Sequence, residues 1–91
     1  MEYIHTTNKI AAYSPEGKVI AEVDFPPLEG NIVEVTHTFV DDSLRGQGVA
    51  AELMRELAKD LRESGRKAVL TCSYAVKWFE KNAEYSDVTE R

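Results

Sequence analysis

The sequence predicts an α/β fold in which an antiparallel strand hairpin lies beside a βαβ unit and helices pack on the sheet. Apolar residues alternate up to residue 40, whereas from residue 49 they recur at a helical period. The length of 91 residues suits one domain with one small core. We therefore assign residues 1–91 to a single domain. From about residue 85 to 91 we expect a polar, loosely packed tail.

The first two strands are predicted in the segments NKIAAY and KVIAEVDF, which the turn SPEG separates. Pro15 and Gly17 suit the second position and the end of a tight turn. One face of the second segment carries apolar residues and the other carries Lys18, Glu22 and Asp24, which is the period of a half-buried strand. The apolar face comprises Val19, Ala21, Val23 and Phe25. Together the two segments predict an antiparallel hairpin.

The third strand is predicted in IVEVTHTFV, because β-branched and aromatic residues fill this segment. An uninterrupted strand places Val33, Val35, His37 and Phe39 on one face, since side chains alternate along a strand.

An amphipathic helix is predicted from Val49 to a stop at Gly65. Its apolar face repeats at helical spacing and comprises Val49, Ala50, Leu53, Met54, Leu57, Ala58 and Leu61. KAVLTC then predicts a fourth strand, parallel and adjacent to the third, which completes the βαβ unit. YAVKWFEKNAE predicts a second, shorter helix.

Composition excludes several classes of function. With 11 basic and 16 acidic residues the net charge is −5, and no dense basic patch indicates nucleic-acid binding. No apolar run is long enough to cross a membrane, and no signal peptide is visible. The single cysteine excludes an internal disulfide framework, so we expect a cytoplasmic protein. His5, His37 and Cys72 lack the spacing of a metal site, and we interpret His5 as plain surface.

The motif Arg45-Gly46-Gln47-Gly48-Val49-Ala50 lies between the third strand and the first helix. A glycine-rich turn that enters a helix exposes unpaired N–H groups at the positive end of the helix dipole, which suits a phosphate or pyrophosphate. A tight turn in which glycine only relieves strain is the alternative. The motif fits neither the Rossmann nor the Walker pattern.

These residues resemble the acetyl-CoA signature Arg/Gln-x-x-Gly-x-Gly/Ala of the GNAT superfamily of N-acetyltransferases, through Arg45, Gly48 and Ala50. THTFVDDSLRGQGVAAELM, CSY and NAEYSDV together resemble its small, single-domain YjdJ-type branch. The resemblance implies a minimal GNAT-like fold and acetyl transfer from acetyl-CoA to an unidentified amine, either a small molecule or a protein. It also implies that the amides of the loop hold the pyrophosphate of coenzyme A.

The resemblance further implies cofactor contacts from the strand end and the second helix, namely Phe39, Val40, Tyr74, Lys77, Phe79 and Lys81. Arg45, Lys77 and Lys81 are either phosphate partners or solvated surface charges. Tyr74 either reaches the thiol end of the cofactor or packs at the corner between strand and helix.

The chain departs from the family pattern in two respects. It has no room for the helices between the first strands or for the two last strands, which usually shape the acceptor pocket. In addition, Phe79 aligns with a tyrosine that commonly protonates the departing thiolate, and phenylalanine has no proton to give. The alternative function is therefore a non-catalytic module that binds coenzyme A or a protein partner.

Cys72 and His37 are the candidate catalytic residues. Cys72 aligns with a family asparagine beside the expected thioester, where a thiolate could take up the acetyl group. Otherwise it is a small buried hydrophobe. His37 either deprotonates an amine or activates Cys72, or it is a half-buried histidine bonded to a backbone carbonyl.

Overall fold

The computed structural model describes residues 1–90 and contains strands and helices in the predicted alternation. The strands are β1 Ile4–Thr6, β2 Lys9–Tyr13, β3 Val19–Asp24, β4 Ile32–Val35, β5 His37–Val40 and β6 Lys67–Leu70. The α helices are α1 Val49–Ser64 and α2 Ser73–Lys81, and short 3₁₀ helices span Asp42–Leu44 and Ala83–Val88. One sheet has the order β1-β2-β3-β5 and a second contains β4 and β6. The α/β class is confirmed.

The predicted hairpin is confirmed, because β2 and β3 pair antiparallel. Gly17 closes the turn with a φ of 86°, a left-handed conformation that favours glycine, and its N–H donates to the carbonyl of Ser14. Strand β1, which was not predicted, extends the sheet beyond β2. Ile10 and Val23 lie opposite each other and are fully buried, so they define the inner face of this sheet.

The prediction of one uninterrupted third strand is wrong. Residues 32–40 divide at Thr36 into β4, which pairs parallel with β6, and β5, which pairs antiparallel with β3. Thr36 and His37 are both exposed, and Thr38 lies opposite the buried Val23 on the inner face. The extra residue at Thr36 acts as a β-bulge, because it reverses the alternation of side chains beyond it.

His37 and Phe39 consequently lie on the outer face of the sheet and do not share the face of Val33 and Val35. They are opposite Asp24 and Glu22, respectively.

Helix α1 is confirmed with its predicted limits. Its buried residues are Val49, Leu53, Met54, Leu57, Ala58 and Leu61, which is the predicted apolar stripe apart from the half-buried Ala50. Gly65 ends the helix at a φ of 71°, and its N–H donates to the last-turn carbonyl of Arg62. The parallel pairing of β4 with β6 across α1 confirms the βαβ unit. Neither α helix within residues 1–90 combines the length and apolarity needed to span a bilayer.

The fourth strand and second helix differ from prediction at their ends. Strand β6 stops at Leu70, and Cys72 is the N-cap of α2. The helix stops at Lys81, because Asn82 has φ −122° and ψ 66°, outside the helical range.

The prediction of a loosely packed tail is wrong for residues 85–90, while Arg91 lies outside the described residues. Val88 is only 2% exposed, and the ring of Tyr85 packs against Trp78 with centroids 5.3 Å apart. The 3₁₀ turn directs these two apolar side chains, three positions apart, onto one side. Asp87 also pairs with Arg62 of α1 at 2.6 Å.

His5 was predicted to be plain surface, but it joins β1 to α1. Its Nε2 lies 2.7 Å from a carboxylate oxygen of Glu56, and its Nδ1 lies 2.8 Å from one of Asp60. Partial burial opposes the charged form, but hydrogen bonds and charge interactions with these two carboxylates outweigh it and raise the pKa of His5. The folded protein therefore binds this proton more tightly than the unfolded chain does.

This proton linkage predicts a pH-dependent contribution to stability. The stabilisation by His5 should be fully present below its unfolded pKa of about 6.5 and should be lost as pH rises through its raised folded pKa. We expect His5→Gln to lower the free energy of unfolding more at about pH 5.5 than at about pH 9. Urea unfolding of both proteins at the two pH values measures this. An equal difference at both values would contradict a role for the proton.

Candidate functional site

A cleft opens where the two sheets separate. The N–H groups of Thr71 and Cys72 both donate to the carbonyl of Val35, at 3.1 and 3.0 Å. This point is the apex of the cleft, because beyond it β5 pairs with β3 and leaves β6. Strand β5 forms one wall and residues 72–74 form the other. We call this space the splay cleft.

The glycine motif lies at the wide end of the splay cleft. Gly46 and Gly48 have φ values of 82° and 75°, so both adopt the left-handed conformation that other residues rarely take. A Cβ atom added at either glycine would meet no protein atom within 4 Å. The glycines are therefore required by backbone conformation, and the space beside them is open.

The first turn of α1 offers unpaired hydrogen-bond donors at this loop. The first bond of the helix runs from the N–H of Glu52 to the carbonyl of Gly48, so the N–H groups of Val49, Ala50 and Ala51 have no partner within the helix. Gly48 is the N-cap and has no side chain to satisfy them. The helix dipole adds a partial positive charge at the same place. This arrangement fits a phosphate or pyrophosphate group.

A cavity of about 360 Å³ lies over the loop and brings together most of the predicted cofactor contacts. Its lining residues are Val40, Leu44, Arg45, Gly46, Gly48, Val49, Ala50, Ala51 and Tyr74. Two lining residues, Leu44 and Ala51, were not predicted from the sequence. Ala51 could have been found, because it supplies the last of the free helical N–H groups.

The remaining predicted contacts lie elsewhere. Phe79 is 3% exposed and packs edge-on against Trp78 in the core, with ring centroids 5.0 Å apart. Lys77 and Lys81 are exposed on α2, and neither lines the cavity at the loop. The Gln47 amide donates to the carbonyl of Ser43. Phe39 is half-buried on the outer face.

The charges near the loop are paired within the preceding turn. Arg45 Nε lies 3.0 Å from an oxygen of Asp42, and its side chain is 74% exposed. Asp41 caps the 3₁₀ helix by accepting hydrogen bonds from the hydroxyl and the N–H of Ser43, which lower the pKa of its carboxyl. Among residues 1–90, Arg45 is the cationic residue that lines the cavity, and its ion pair with Asp42 is exposed, so a stronger anion could replace the carboxylate.

Cys72 lies in the splay cleft, two residues before Tyr74. Its Sγ donates a hydrogen bond to Oγ1 of Thr38 at 3.5 Å, across the cleft. Burial alone would raise the pKa of the thiol. The Thr38 hydroxyl and the N–H groups of Ala75, Tyr74 and Thr38 outweigh burial and lower this pKa below its usual range. The contacts at the N-terminus of α2 therefore favour the thiolate, which is the nucleophilic form.

Tyr74 contributes its ring to the cavity and is 38% exposed. Burial raises the pKa of its hydroxyl, against a smaller lowering effect of Arg55. The phenol therefore stays protonated at neutral pH and can donate a hydrogen bond to a group in the cavity.

His37 lies on the outer face, exposed and opposite Asp24. Burial is the main cause that raises the pKa of the Asp24 carboxyl, Glu22 adds to it, and Lys9 and His37 oppose it. Oδ1 of Asp24 is buried and has no hydrogen-bond partner within residues 1–90. The polar partner that the structure gives to the Cys72 thiol is Thr38, on the inner face, so the geometry provides no support for activation of Cys72 by His37.

Comparison with known proteins identifies the family of the chain. Residues 9–88 match the family described as GCN5-related N-acetyl-transferase. A GCN5-like protein of Staphylococcus aureus, solved in solution, superposes with a TM-score of 0.80 and is 31% identical. That match covers 98% of this chain and 87% of the other.

Two further relatives match a smaller part of the sequence. The Escherichia coli GNAT family N-acetyltransferase YhbS, crystallised in complex with CoA, is 35% identical with a TM-score of 0.57, over 66% of this chain and 36% of the other. Protein NATD1 of Gallus gallus is 39% identical over 51 residues, which are 56% of this chain and 46% of NATD1. The chain therefore spans about half the length of the curated relatives that it matches.

The family match extends over well more than half of the chain, and the match to the Staphylococcus aureus structure covers nearly all of it. The resemblance read from the glycine motif is thereby confirmed. The chain belongs to the GCN5-related N-acetyltransferase family, whose acetyl donor is acetyl-CoA.

Proposed function

We propose that this chain transfers an acetyl group from acetyl-CoA to an amine, with the donor extended along the splay cleft. One observation carries the proposal: the cavity at the glycine loop and the Cys72 thiol share the same two walls. Thr38 and Val40 lie on the first wall, and Cys72 and Tyr74 lie on the second. A long molecule with an anion at one end and a thioester at the other suits such a cleft.

The pyrophosphate end is assigned to the loop of residues 45–50. The free N–H groups of α1 would donate to the phosphate oxygens, and the left-handed glycines leave open space beside the backbone. Arg45 would exchange its exposed carboxylate partner for phosphate, which a guanidinium binds through paired hydrogen bonds.

The thioester end is assigned to Cys72. Its thiolate would attack the acetyl carbonyl carbon, forming a new carbon–sulfur bond while the bond to the coenzyme sulfur breaks. The departing coenzyme A thiolate keeps the electron pair and takes a proton from solvent. The amine nitrogen then attacks the acetyl-cysteine, the Cys72 thiolate leaves, and the nitrogen loses one proton.

His37 is assigned to the acceptor side as the base that receives this proton. It is exposed on the outer face, away from the packed inner face, and lies beside the carboxyl of Asp24. An amine that approaches from this face could instead attack acetyl-CoA directly, with the same base and without an acetyl-cysteine.

A second candidate function is a module that binds coenzyme A without catalysis. The observation in its favour is Phe79, which occupies the place of the family's usual acid, has no hydroxyl and is buried in the core.

Calorimetric titration with coenzyme A and an assay of coenzyme A release from acetyl-CoA with a mixed amine library separate these functions. We expect binding and amine-dependent release. Tight binding without release in any amine mixture would favour the module. A protein that does not bind coenzyme A would refute both.

A further inference from the structure

The residue that faces the Cys72 thiol across the splay cleft is Thr38. Its Oγ1 lies 3.5 Å from Sγ, and its own backbone N–H also acts on the sulfur. Thr38 is half-buried on the inner face, opposite the fully buried Val23. The Thr38 side chain therefore contacts the thiol from the inner face of β5, which packs against the core.

Because of the bulge at Thr36, the side chain that faces the Cys72 sulfur is that of Thr38. In an uninterrupted strand His37 would continue the inward face of Val33 and Val35, and Thr38 would face outward. The extra residue reverses this order, so a hydroxyl and not an imidazole faces the sulfur.

A hydroxyl suits a sulfur that must alternate between ionisation states. It accepts a hydrogen bond from the thiol, as the structure shows, and by rotation it can donate to the thiolate. Threonine is β-branched, so its χ1 angle is restricted and its hydroxyl keeps a defined direction. The backbone N–H groups of Tyr74 and Ala75, in the first turn of α2, also contribute to the lowered pKa of the Cys72 thiol.

We propose that Thr38 is a positioning residue, whose hydroxyl holds the Cys72 sulfur in the splay cleft and donates to its thiolate. This inference rests on the acyl-transfer role proposed for Cys72. Thr38 itself forms no bond with the acetyl group.

The pH profile of alkylation by iodoacetamide tests the inference directly, since Cys72 is the only thiol of the chain. We expect Thr38→Val to shift the profile to higher pH and to slow alkylation near pH 7.5 about three- to tenfold, the effect of one lost hydrogen bond. Thr38→Ser retains the hydroxyl and should keep a profile close to that of the wild type.

Two further measurements separate this effect from simple damage and from the proposed function. Thermal unfolding of Thr38→Val should stay near that of the wild type, because valine has nearly the same shape. An unchanged alkylation profile in this variant would overturn the inference. Alkylation requires no acetyl-CoA, so a wild type that never acquires an acetyl group would refute the acyl-transfer route independently of this result.

Discussion

Acetyl-CoA added without an amine is expected to leave one acetyl group on Cys72, detectable by intact-mass spectrometry and removable by hydroxylamine. The reason is the environment of the thiol, whose contacts with the Thr38 hydroxyl and with three backbone N–H groups favour the thiolate. Cys72→Ala should lose the adduct and fall to background turnover, while it still binds coenzyme A through the loop.

Two variants define the mechanism further. Cys72→Ser should bind coenzyme A but turn over poorly, because a serine hydroxyl is far less acidic than a thiol and has no strong base in contact. His37→Gln should still acquire the acetyl group, since His37 is on the opposite face of β5 from Thr38, but should pass it to an amine more slowly. Full turnover by Cys72→Ala would establish direct transfer and reduce the cysteine to a packing role.

Gly48→Val is expected to weaken coenzyme A binding about tenfold or more, which corresponds to the loss of at least one hydrogen bond to a charged group. Gly48 has a φ of 75°, which a β-branched residue rarely adopts, so the backbone at the helix start should change direction. The N–H groups of Val49 and Ala50 would then no longer point into the cavity. Calorimetric titration of coenzyme A measures the effect.

Gly17→Val is the matched control for this experiment. Gly17 has a φ of 86° and, like Gly48, open space around its missing side chain, but it lies in the turn between β2 and β3. It should impose a similar backbone strain without touching the cavity. Equal coenzyme A affinity in both variants and the wild type would mean that the glycines of the loop only form a turn.

The parts of the fold that the sequence predicted are those with a strong local period. Helix α1 repeats its apolar residues over four turns, and Gly65 marks its end, so its limits were predictable. The hairpin likewise has alternation on both sides of a recognisable turn. Strand β1 was not predicted because its three residues are too few to show the alternation of a strand.

The parts that could not be predicted depend on tertiary pairing. Nothing near Thr36 distinguishes a bulge from a regular strand, because β-branched residues continue on both sides. The bulge depends on the pairing of the two flanking strands, because β4 pairs with β6 whereas β5 pairs with β3. The face predicted for His37 was wrong, because the side-chain alternation reverses at Thr36. The burial of Phe79 could not be predicted, because a motif alignment does not show which side of α2 enters the core.

The packed tail has a consequence for self-association. Strand β6 pairs with β4 on one side only. Without the packed tail, its other side would have unpaired backbone groups with which a strand of another molecule could pair. Glu90 donates its N–H to the carbonyl of Ala68, and Thr89 forms a parallel bridge with the same residue. Thr89 and Glu90 thus occupy the position that a strand from a second copy would take. At the opposite end, the edge strand β1 is short, which leaves little template for growth of the sheet.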